Sequence, residues 1–320
     1  MEKEIIYLEP IFKQCIWGGE NLKEEWGYDV PGEKVGECWA VAAHKSGDCG
    51  IKNEKYKGET LTSLWEKKPE LFDNKNADGT LKEDRFPLLT KIIDAADDLS
   101  IQVHPNDEYA MKNENGSLGK TECWYVLKAP EGAKLVVGHN ATTRDELKAM
   151  IDEGRWSELI REVPVKAGDF IQINPGTVHA IKGGLQILET QQSSDITYRL
   201  YDYDRLQNGK PRDLHLKQSI DVITVPAASA KESIIDASKT EPDKFNALIA
   251  CDYYRVWKIE VKKGFEFDMD INYMIMSVID GEGSINGEKI KRGDHFIIPN
   301  GYGKTALKGD MTIIASSALV

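Results

Sequence analysis

The sequence has few cysteines, and none of them are spaced as partners. The five cysteines among 320 residues are an odd number, lie scattered and include no Cys-x-x-Cys pair. This argues against a disulfide scaffold and predicts a reduced, cytoplasmic protein. No apolar run approaches the roughly 18 residues of a membrane span. The acidic start, MEKEIIYLEP, lacks the apolar core of a signal peptide, so we expect no secretion signal there.

Dense runs of positive charge are also missing. The formal net charge is −12, and Lys and Arg are spread along the chain. A surface of this kind argues against nucleic acid or an anionic membrane as the main partner. An anionic substrate would have to be held by a few local cations against the overall field of the protein.

The remaining composition is that of an ordinary globular protein, with 41% hydrophobic and 29% charged residues. The length favours two domains. Short runs of β-forming residues separated by Gly and Pro turns predict a mainly β fold with a few short helices. The small, polar segment 227–243 is the best boundary, which predicts a first domain at 1–235 and a second, all-β domain at 236–320.

Three helix starts can be read from capping residues. Thr60 or Thr62, Asn106, and Thr142 or Thr143 each precede a short segment with helical spacing. In the third segment, Gly154 is expected to divide the helix in two.

The most informative stretch is residues 100–125. In the tetrad Ile101-Gln-Val-His104, alternation places Gln102 and His104 on one strand face, and Ile101 and Val103 on the other. Glu122 then opens a second apolar run. An imidazole, a carboxylate and an amide oxygen are donors that suit Zn²⁺ and its divalent neighbours. The alternative is a buried His hydrogen-bonded to a buried Glu without a metal.

A second stretch, residues 165–184, contains a Gly-Asp turn, an alternating strand and a Pro-Gly turn that places His179 at the start of a strand antiparallel to its predecessor. The same pattern recurs from Gly293 to Lys304, with Lys304 at the position of His179. The second copy also lacks a counterpart of Gln102-x-His104. Only the first unit keeps candidate ligands, which favours the metal interpretation over a structural histidine.

The segment Tyr198–Arg205 alternates as well, so that Arg199, Tyr201, Tyr203 and Arg205 would share one face. An Arg among tyrosines that projects into a polar cavity suits an anionic or hydroxyl-rich ligand. The alternative is a surface ladder of Arg and Asp. Glu37 is likewise open to two interpretations, as a site residue or as a solvated glutamate at a strand end.

The pattern G-D-x(4)-P-x-G-x-x-H at residues 168–179 resembles the second motif of the cupin β-barrel, with Asn174 where Pro is usual. Five co-linear motifs resemble those of type I mannose-6-phosphate isomerases, most closely the short bacterial form without a large helical insertion. They are Ile16-Trp17-Gly18-Gly19 with Gly36-Glu37, Gln102-Val-His104-Pro105-Asn106-Asp107, Lys120-Thr-Glu122, Pro175-Gly-Thr-Val-His179-Ala and Asp195-Ile-Thr-Tyr198-Arg199. The sequence departs at Cys38 and 40–44, where that family usually has Ser and an acidic residue.

The resemblance implies two cupin-type (jelly-roll) β-barrels with a few short peripheral helices, the second barrel degenerate. It implies a metal-dependent enzyme that interconverts mannose 6-phosphate and fructose 6-phosphate, with one Zn²⁺ per chain. The implied metal ligands are His104, Glu122, His179 and Gln102. Arg199 would be the catalytic arginine, and Lys120, Trp17 and Asp195 would contact the sugar.

A small sugar phosphate would then be the partner, without nucleic acid or membrane, and the protein would be a monomer or a weak homodimer. Two other functions stay open at this point. One is an Fe(II) cupin oxygenase, and the other is a cupin that binds a sugar phosphate without turning it over.

Overall fold

The computed structural model describes residues 3–319, and strands make up most of its regular structure. In chain order the strands are β1 (Ile6–Glu9), β2 (Ile11–Gly19), β3 (Val35–Val41), β4 (Ala43–His44), β5 (Gly47–Asp48), β6 (Gly50–Ile51), β7 (Leu88–Asp94), β8 (Ile101–Val103), β9 (Glu122–Lys128), β10 (Lys134–His139), β11 (Ile160–Pro164), β12 (Asp169–Ile173), β13 (His179–Ala180), β14 (Gln186–Gln192), β15 (Tyr198–Tyr201), β16 (Leu206–Gln207), β17 (Lys210–Pro211), β18 (Ile234–Asp236), β19 (Asn246–Ala250), β20 (Tyr254–Val261), β21 (Phe265–Asp268), β22 (Met274–Ile285), β23 (Glu288–Lys291), β24 (His295–Ile298) and β25 (Lys304–Ala318).

The helices are short and lie between the strands. They are α1 (Asn21–Glu24), α2 (Leu61–Lys67), α3 (Asp107–Asn113), α4 (Arg144–Asp152), α5 (Trp156–Leu159), α6 (Leu216–Val222) and α7 (Ala230–Ser233), with 3-10 turns at Glu54–Tyr56 and Pro69–Leu71. This confirms the predicted mainly β fold with a few short helices. Within the described chain, no helix combines the length and the apolarity needed to cross a membrane.

Two sheets from the N-terminal part pack against each other. One has seven strands in the order β18-β12-β9-β14-β7-β3-β2, and the other has five in the order β11-β10-β13-β8-β15. Their shared core contains Ile93, Trp124 and Ile171 from the first sheet, and Leu135 and Val137 from the second. This sandwich provides the frame for the candidate site.

A nine-stranded sheet is built mostly from the C-terminal part. It packs against the outer face of the seven-stranded sheet, where Ile92, Cys123 and Phe170 meet Tyr254 and Ile275. Because the seven-stranded sheet is covered on both faces, all seven residues of β7 are buried, as the continuous apolar run predicts. All five cysteines are free thiols, three of them fully buried.

Sequence order and sheet membership do not coincide at the ends of the N-terminal part. Strand β1 pairs with β24 of the nine-stranded sheet, with Ile6 opposite Ile297. The polar segment 227–243 includes β18, which pairs with β12 of the seven-stranded sheet. The division of the chain at residue 235 stays a prediction.

The predicted caps are confirmed in the structure. The side chains of Thr60, Asn106 and Thr143 accept hydrogen bonds from backbone N–H groups three residues further on, at the starts of α2, α3 and α4. These bonds satisfy donors that have no partner within the helix. The predicted break near Gly154 is also confirmed, because α4 ends at Asp152 and α5 begins at Trp156.

Two expectations about extended structure were wrong. His179 does open a strand, but β13 pairs with β10 and β8 in the five-stranded sheet, whereas its predecessor β12 lies in the other sheet. The alternation predicted through Arg205 ends at Tyr201, since Tyr203 and Asp204 adopt positive φ values of 55° and 54° in a turn.

Candidate metal centre and active site

Three predicted ligands converge where strands of the two sheets begin or end. His104 follows β8, Glu122 opens β9, and His179 opens β13. The His104 and His179 Nε2 atoms are 3.1 Å apart. Glu122 Oε2 lies 3.4 Å from His104 Nε2, and Glu122 Oε1 lies 3.3 Å from His179 Nε2. All three side chains are buried, and within the described residues they form a cluster whose ligand atoms lie within 4.8 Å of one another.

Backbone carbonyl groups orient both imidazoles. The Nδ1 atom of His104 is 2.8 Å from Ile196 O, and that of His179 is 2.8 Å from Thr177 O. A carbonyl oxygen only accepts, so each Nδ1 carries the proton and each Nε2 presents a lone pair to the centre. Burial, followed by the Lys120 charge, lowers the pKa of His104 to about 3, and burial also lowers the pKa of His179. Neutral imidazole is the form that ligates metals.

The carboxylate of Glu122 supports the same conclusion. Both of its oxygens are buried and accept no hydrogen bond of ordinary geometry. Burial opposes ionisation, but the Lys120 ammonium outweighs it, so the pKa of Glu122 lies well below the usual range. A buried carboxylate that faces two imidazole lone pairs is a donor set that a divalent cation would satisfy. The residues present therefore fit a divalent metal.

Gln102 lies beside this cluster. It is opposite His179 in the pairing of β8 with β13, and its Nε2 atom is 3.3 Å from His179 Nε2. The two ends of a Gln amide are interchangeable by a half-turn. That half-turn would bring the oxygen of Gln102 towards the histidine, as a fourth ligand requires.

Lys120 places its ammonium group directly against the cluster. Its Nζ atom is 2.7 Å from Glu122 Oε2 and 3.2 Å from His104 Nε2, and it is also 3.9 Å from Glu189 Oε1. Only 5% of the Lys120 side chain is exposed. This buried cation compensates the charge of Glu122.

A cavity of about 370 Å³ opens over Lys120 and brings together the other predicted site residues. Its walls include Trp17, Gln102, Lys120, Asp195 and Arg199. They also include charged residues that the sequence analysis either left open or did not select, namely Glu37, Lys91, Glu189 and Arg212.

Two of the unselected residues are a cross-strand pair in the seven-stranded sheet. Lys91 on β7 is directly opposite Glu189 on β14, and the Lys91 ammonium lies 3.6 Å from Glu189 and 3.7 Å from Glu37. Burial and the neighbouring Glu122 charge raise the pKa of Glu189. A lysine within the mostly apolar strand β7 is the sequence signal that could have identified Lys91. Strand β14, which also contains Thr and three Gln residues, gives no such signal for Glu189.

Arg199 lies on β15, opposite Gln102 on β8. Its Nη1 donates to the carbonyl oxygen of Asp213 at 2.8 Å, while its buried Nε has no partner. Burial and the nearby Arg212 lower its pKa, but a guanidinium still keeps its proton at any working pH. Arg199 is therefore a fixed positive charge that can meet a substrate oxygen.

The remaining predicted residues lie on different parts of the cavity wall. Trp17 is buried and joins the sandwich core. Asp195 is exposed, accepts a hydrogen bond from Ser46 Oγ at 2.7 Å, and lies 3.8 Å from His44 Nε2. Segment 40–44, where the sequence departs from the family pattern, therefore approaches the site through the contact of His44 with Asp195.

A β-sandwich with a buried cluster of two imidazoles and one carboxylate at strand ends, below a polar cavity, defines a cupin with a candidate metal centre. The model of the family "Phosphomannose isomerase type I, catalytic domain" matches residues 5–127. The model of "Mannose-6-phosphate isomerase, cupin domain" matches residues 244–318. The chain belongs to the type I phosphomannose isomerase family.

Full-length relatives agree with this assignment. The chain is 48% identical over 321 residues to mannose-6-phosphate isomerase ManA of Bacillus subtilis. This alignment covers 99% of each chain. It is 44% identical to mannose-6-phosphate isomerase of Streptococcus mutans, with 96% of this chain and 98% of that one covered. The crystal structure of a Bacillus subtilis mannose 6-phosphate isomerase superposes with a TM-score of 0.87 at 40% identity, covering 98% of this chain and 100% of the other.

Proposed function

We propose that this protein is a metal-dependent aldose–ketose isomerase that interconverts mannose 6-phosphate and fructose 6-phosphate. The observation that carries the proposal is the convergence of His104, Glu122 and His179 below a cavity lined by Lys120 and Arg199. Membership of the phosphomannose isomerase family and the names of the full-length relatives support the choice of substrate.

The metal that we propose is one Zn²⁺ per chain, held by His104, Glu122 and His179, with Gln102 as a fourth ligand. The carboxylate of Glu122, which faces the lone pairs of both imidazoles, supports this donor set. When bound, a redox-inert Lewis acid of this kind polarises substrate oxygens and offsets the negative charge that develops on them.

The chain's own residues supply the remaining chemistry. Isomerisation removes a proton from the carbon next to a carbonyl group and returns one to the neighbouring carbon. The groups placed to exchange protons at the buried end of the cavity are Lys120 and Glu189, and the raised pKa of Glu189 lets its carboxyl group hold a proton closer to neutral pH.

Arg199 has a different role, because it stays charged and cannot act as a base. Its unpartnered Nε and remaining N–H groups can stabilise the oxygen that becomes negative as the proton leaves, which is an electrostatic contribution. Asp195 and Trp17 are proposed sugar contacts, the first as an acceptor for hydroxyl groups and the second as an apolar wall.

A coupled assay tests the proposal. Purified protein, with and without chelator, is supplied with mannose 6-phosphate while fructose 6-phosphate is measured enzymatically. We expect turnover that chelation abolishes and that added Zn²⁺ restores. Binding of the sugar phosphate without turnover would favour the non-catalytic cupin, and oxygen consumption by an iron-loaded protein would favour the oxygenase.

We also propose that the protein is cytoplasmic, and its five free thiols support this location. We propose a monomer or a weak homodimer, which light scattering at two protein concentrations distinguishes.

A further inference from the structure

Two short segments that adjoin metal ligands are in backbone contact. Segment 105–107 follows the ligand His104, and segment 119–121 precedes the ligand Glu122. A Cβ atom on Gly119 would lie 2.4, 2.5 and 2.8 Å from three backbone atoms of segment 105–107. The two segments therefore approach each other so closely that no side chain fits between them.

Hydrogen bonds also join these segments. The N–H of Gly119 donates to Asp107 Oδ1 at 2.7 Å, and the N–H of Lys120 donates to Pro105 O at 3.0 Å. Both donors belong to buried residues and would be costly to leave without an acceptor. The Asp107 carboxylate thus fixes the backbone immediately before Lys120.

Gln192 fixes the backbone immediately after Lys120. Its Oε1 accepts the N–H of Thr121 at 2.8 Å, and its own backbone N–H donates to Thr121 O at 3.0 Å. Its Nε2 donates to Asp107 Oδ1 at 3.1 Å. Only 3% of Gln192 is exposed, and hydrogen bonds in such buried surroundings are stronger than those in water.

Asp107 and Gln192 therefore hold one stretch of backbone from both sides, and we call this pair the clamp. The side chain that the stretch carries into the site is that of Lys120, whose ammonium lies 2.7 Å from Glu122 and 3.2 Å from His104. Misplacing a catalytic group by about 1 Å can lower a reaction rate about 100-fold. The clamp thus lies where a small backbone shift would be felt in the chemistry.

We infer that Asp107 and Gln192 are positioning residues that hold Lys120 in place for catalysis. Glu122 is two residues further along the same backbone, so the clamp also sets the place of this ligand. Neither residue of the clamp lines the catalytic cavity, and both act on the reaction through the segment that they hold. The inference rests on the proposed function, because it takes the role of Lys120 in proton exchange from the proposed reaction.

Two substitutions open the clamp from opposite ends. Q192M keeps the length of the side chain but removes both of its polar ends, and D107A removes the shared carboxylate. D107N is the conservative variant, because it keeps an oxygen for the N–H of Gly119. The matched control is N106A, since Asn106 lies next to Asp107 but its side chain accepts the N–H of Tyr109 at the start of α3. A merely structural role for the clamp predicts that its variants behave like N106A.

The experiment measures kcat and KM for mannose 6-phosphate with metal-loaded enzyme. It also measures the Zn²⁺ affinity of metal-free protein by competition with a chelator. For Q192M and D107A we expect kcat to fall about 10- to 100-fold while KM stays within about threefold. Their Zn²⁺ affinity should fall about tenfold, because Glu122 shifts together with Lys120. D107N and N106A should stay within about threefold of wild type in every constant.

Unchanged kcat in Q192M and D107A, or an equal loss in N106A, would overturn the inference. Additive losses in the double variant D107A/Q192M would overturn it too, because residues of one clamp should lose little more together than the larger single loss. If the wild type lacks isomerase activity, the proposed function fails, while weaker Zn²⁺ binding by Q192M and D107A alone still supports the clamp. If one variant does not fold, the other still tests the inference, because the two act at opposite ends of one hydrogen bond.

Discussion

Replacing Glu122 by Gln should disturb the protein in two separable ways. First, E122Q should lose its bound metal, because the substitution removes the anionic ligand between His104 and His179. Second, the metal-free form of E122Q should be less stable than metal-free wild type. Lys120 is 5% exposed and would keep only Glu189, at 3.9 Å, within ion-pair distance.

The size of the second effect follows from this burial. Removing one partner of a buried ion pair leaves an uncompensated charge and costs about 3 to 5 kcal/mol. The assay is denaturant unfolding of chelator-treated wild type, E122Q, K120M and the double variant K120M/E122Q. The double variant should recover most of the loss, because it contains neither charge. If E122Q is as stable as wild type without metal, or if K120M does not compensate it, the proposed pairing of Lys120 with Glu122 is wrong.

Three further predictions concern single side chains. R199A should reduce kcat about 100- to 1,000-fold, since it removes a donor at the reacting oxygen, with metal content unchanged and R199K less affected; normal turnover or lost metal would exclude the assigned role. N106A should destabilise the protein by about 1 kcal/mol in chemical unfolding, because Asn106 accepts the Tyr109 N–H at the start of α3; no change would show that this cap is dispensable. Burial opposes ionisation of Asp202, but Arg212 and Arg205 outweigh it and lower its pKa, so its stabilisation is present above the ordinary Asp pKa and is lost as pH falls through the lowered value. Wild type should therefore melt above D202N at pH 7, with the gap narrowing as the pH falls below the ordinary Asp pKa, and a gap independent of pH would contradict this.

Much of the site could be predicted from local sequence because its ligands lie next to strand ends and turns. The alternation of residues 101–104 predicts that Gln102 and His104 lie on the same strand face. The Gly-Asp and Pro-Gly turns predict that His179 stands at the start of a strand. The caps at Thr60 and Asn106 are equally local, since each bond spans three residues.

The missed features depend on pairings between distant segments. Lys91 and Glu189 meet only because β7 pairs with β14, and no local pattern specifies that register. The strand that His179 opens, β13, lies in the opposite sheet because it pairs with the distant strands β10 and β8. Arg212 and Arg205 both bind the buried carboxylate of Asp202, and this shared ion pair is visible only in the folded chain.

The most direct test of the account is a titration of metal-free protein with Zn²⁺ while the isomerisation of mannose 6-phosphate is followed. If His104, Glu122 and His179 hold the catalytic ion, activity should rise in proportion to added metal and level off at one equivalent per chain. Full activity without added metal, or no activity at any metal content, would contradict it.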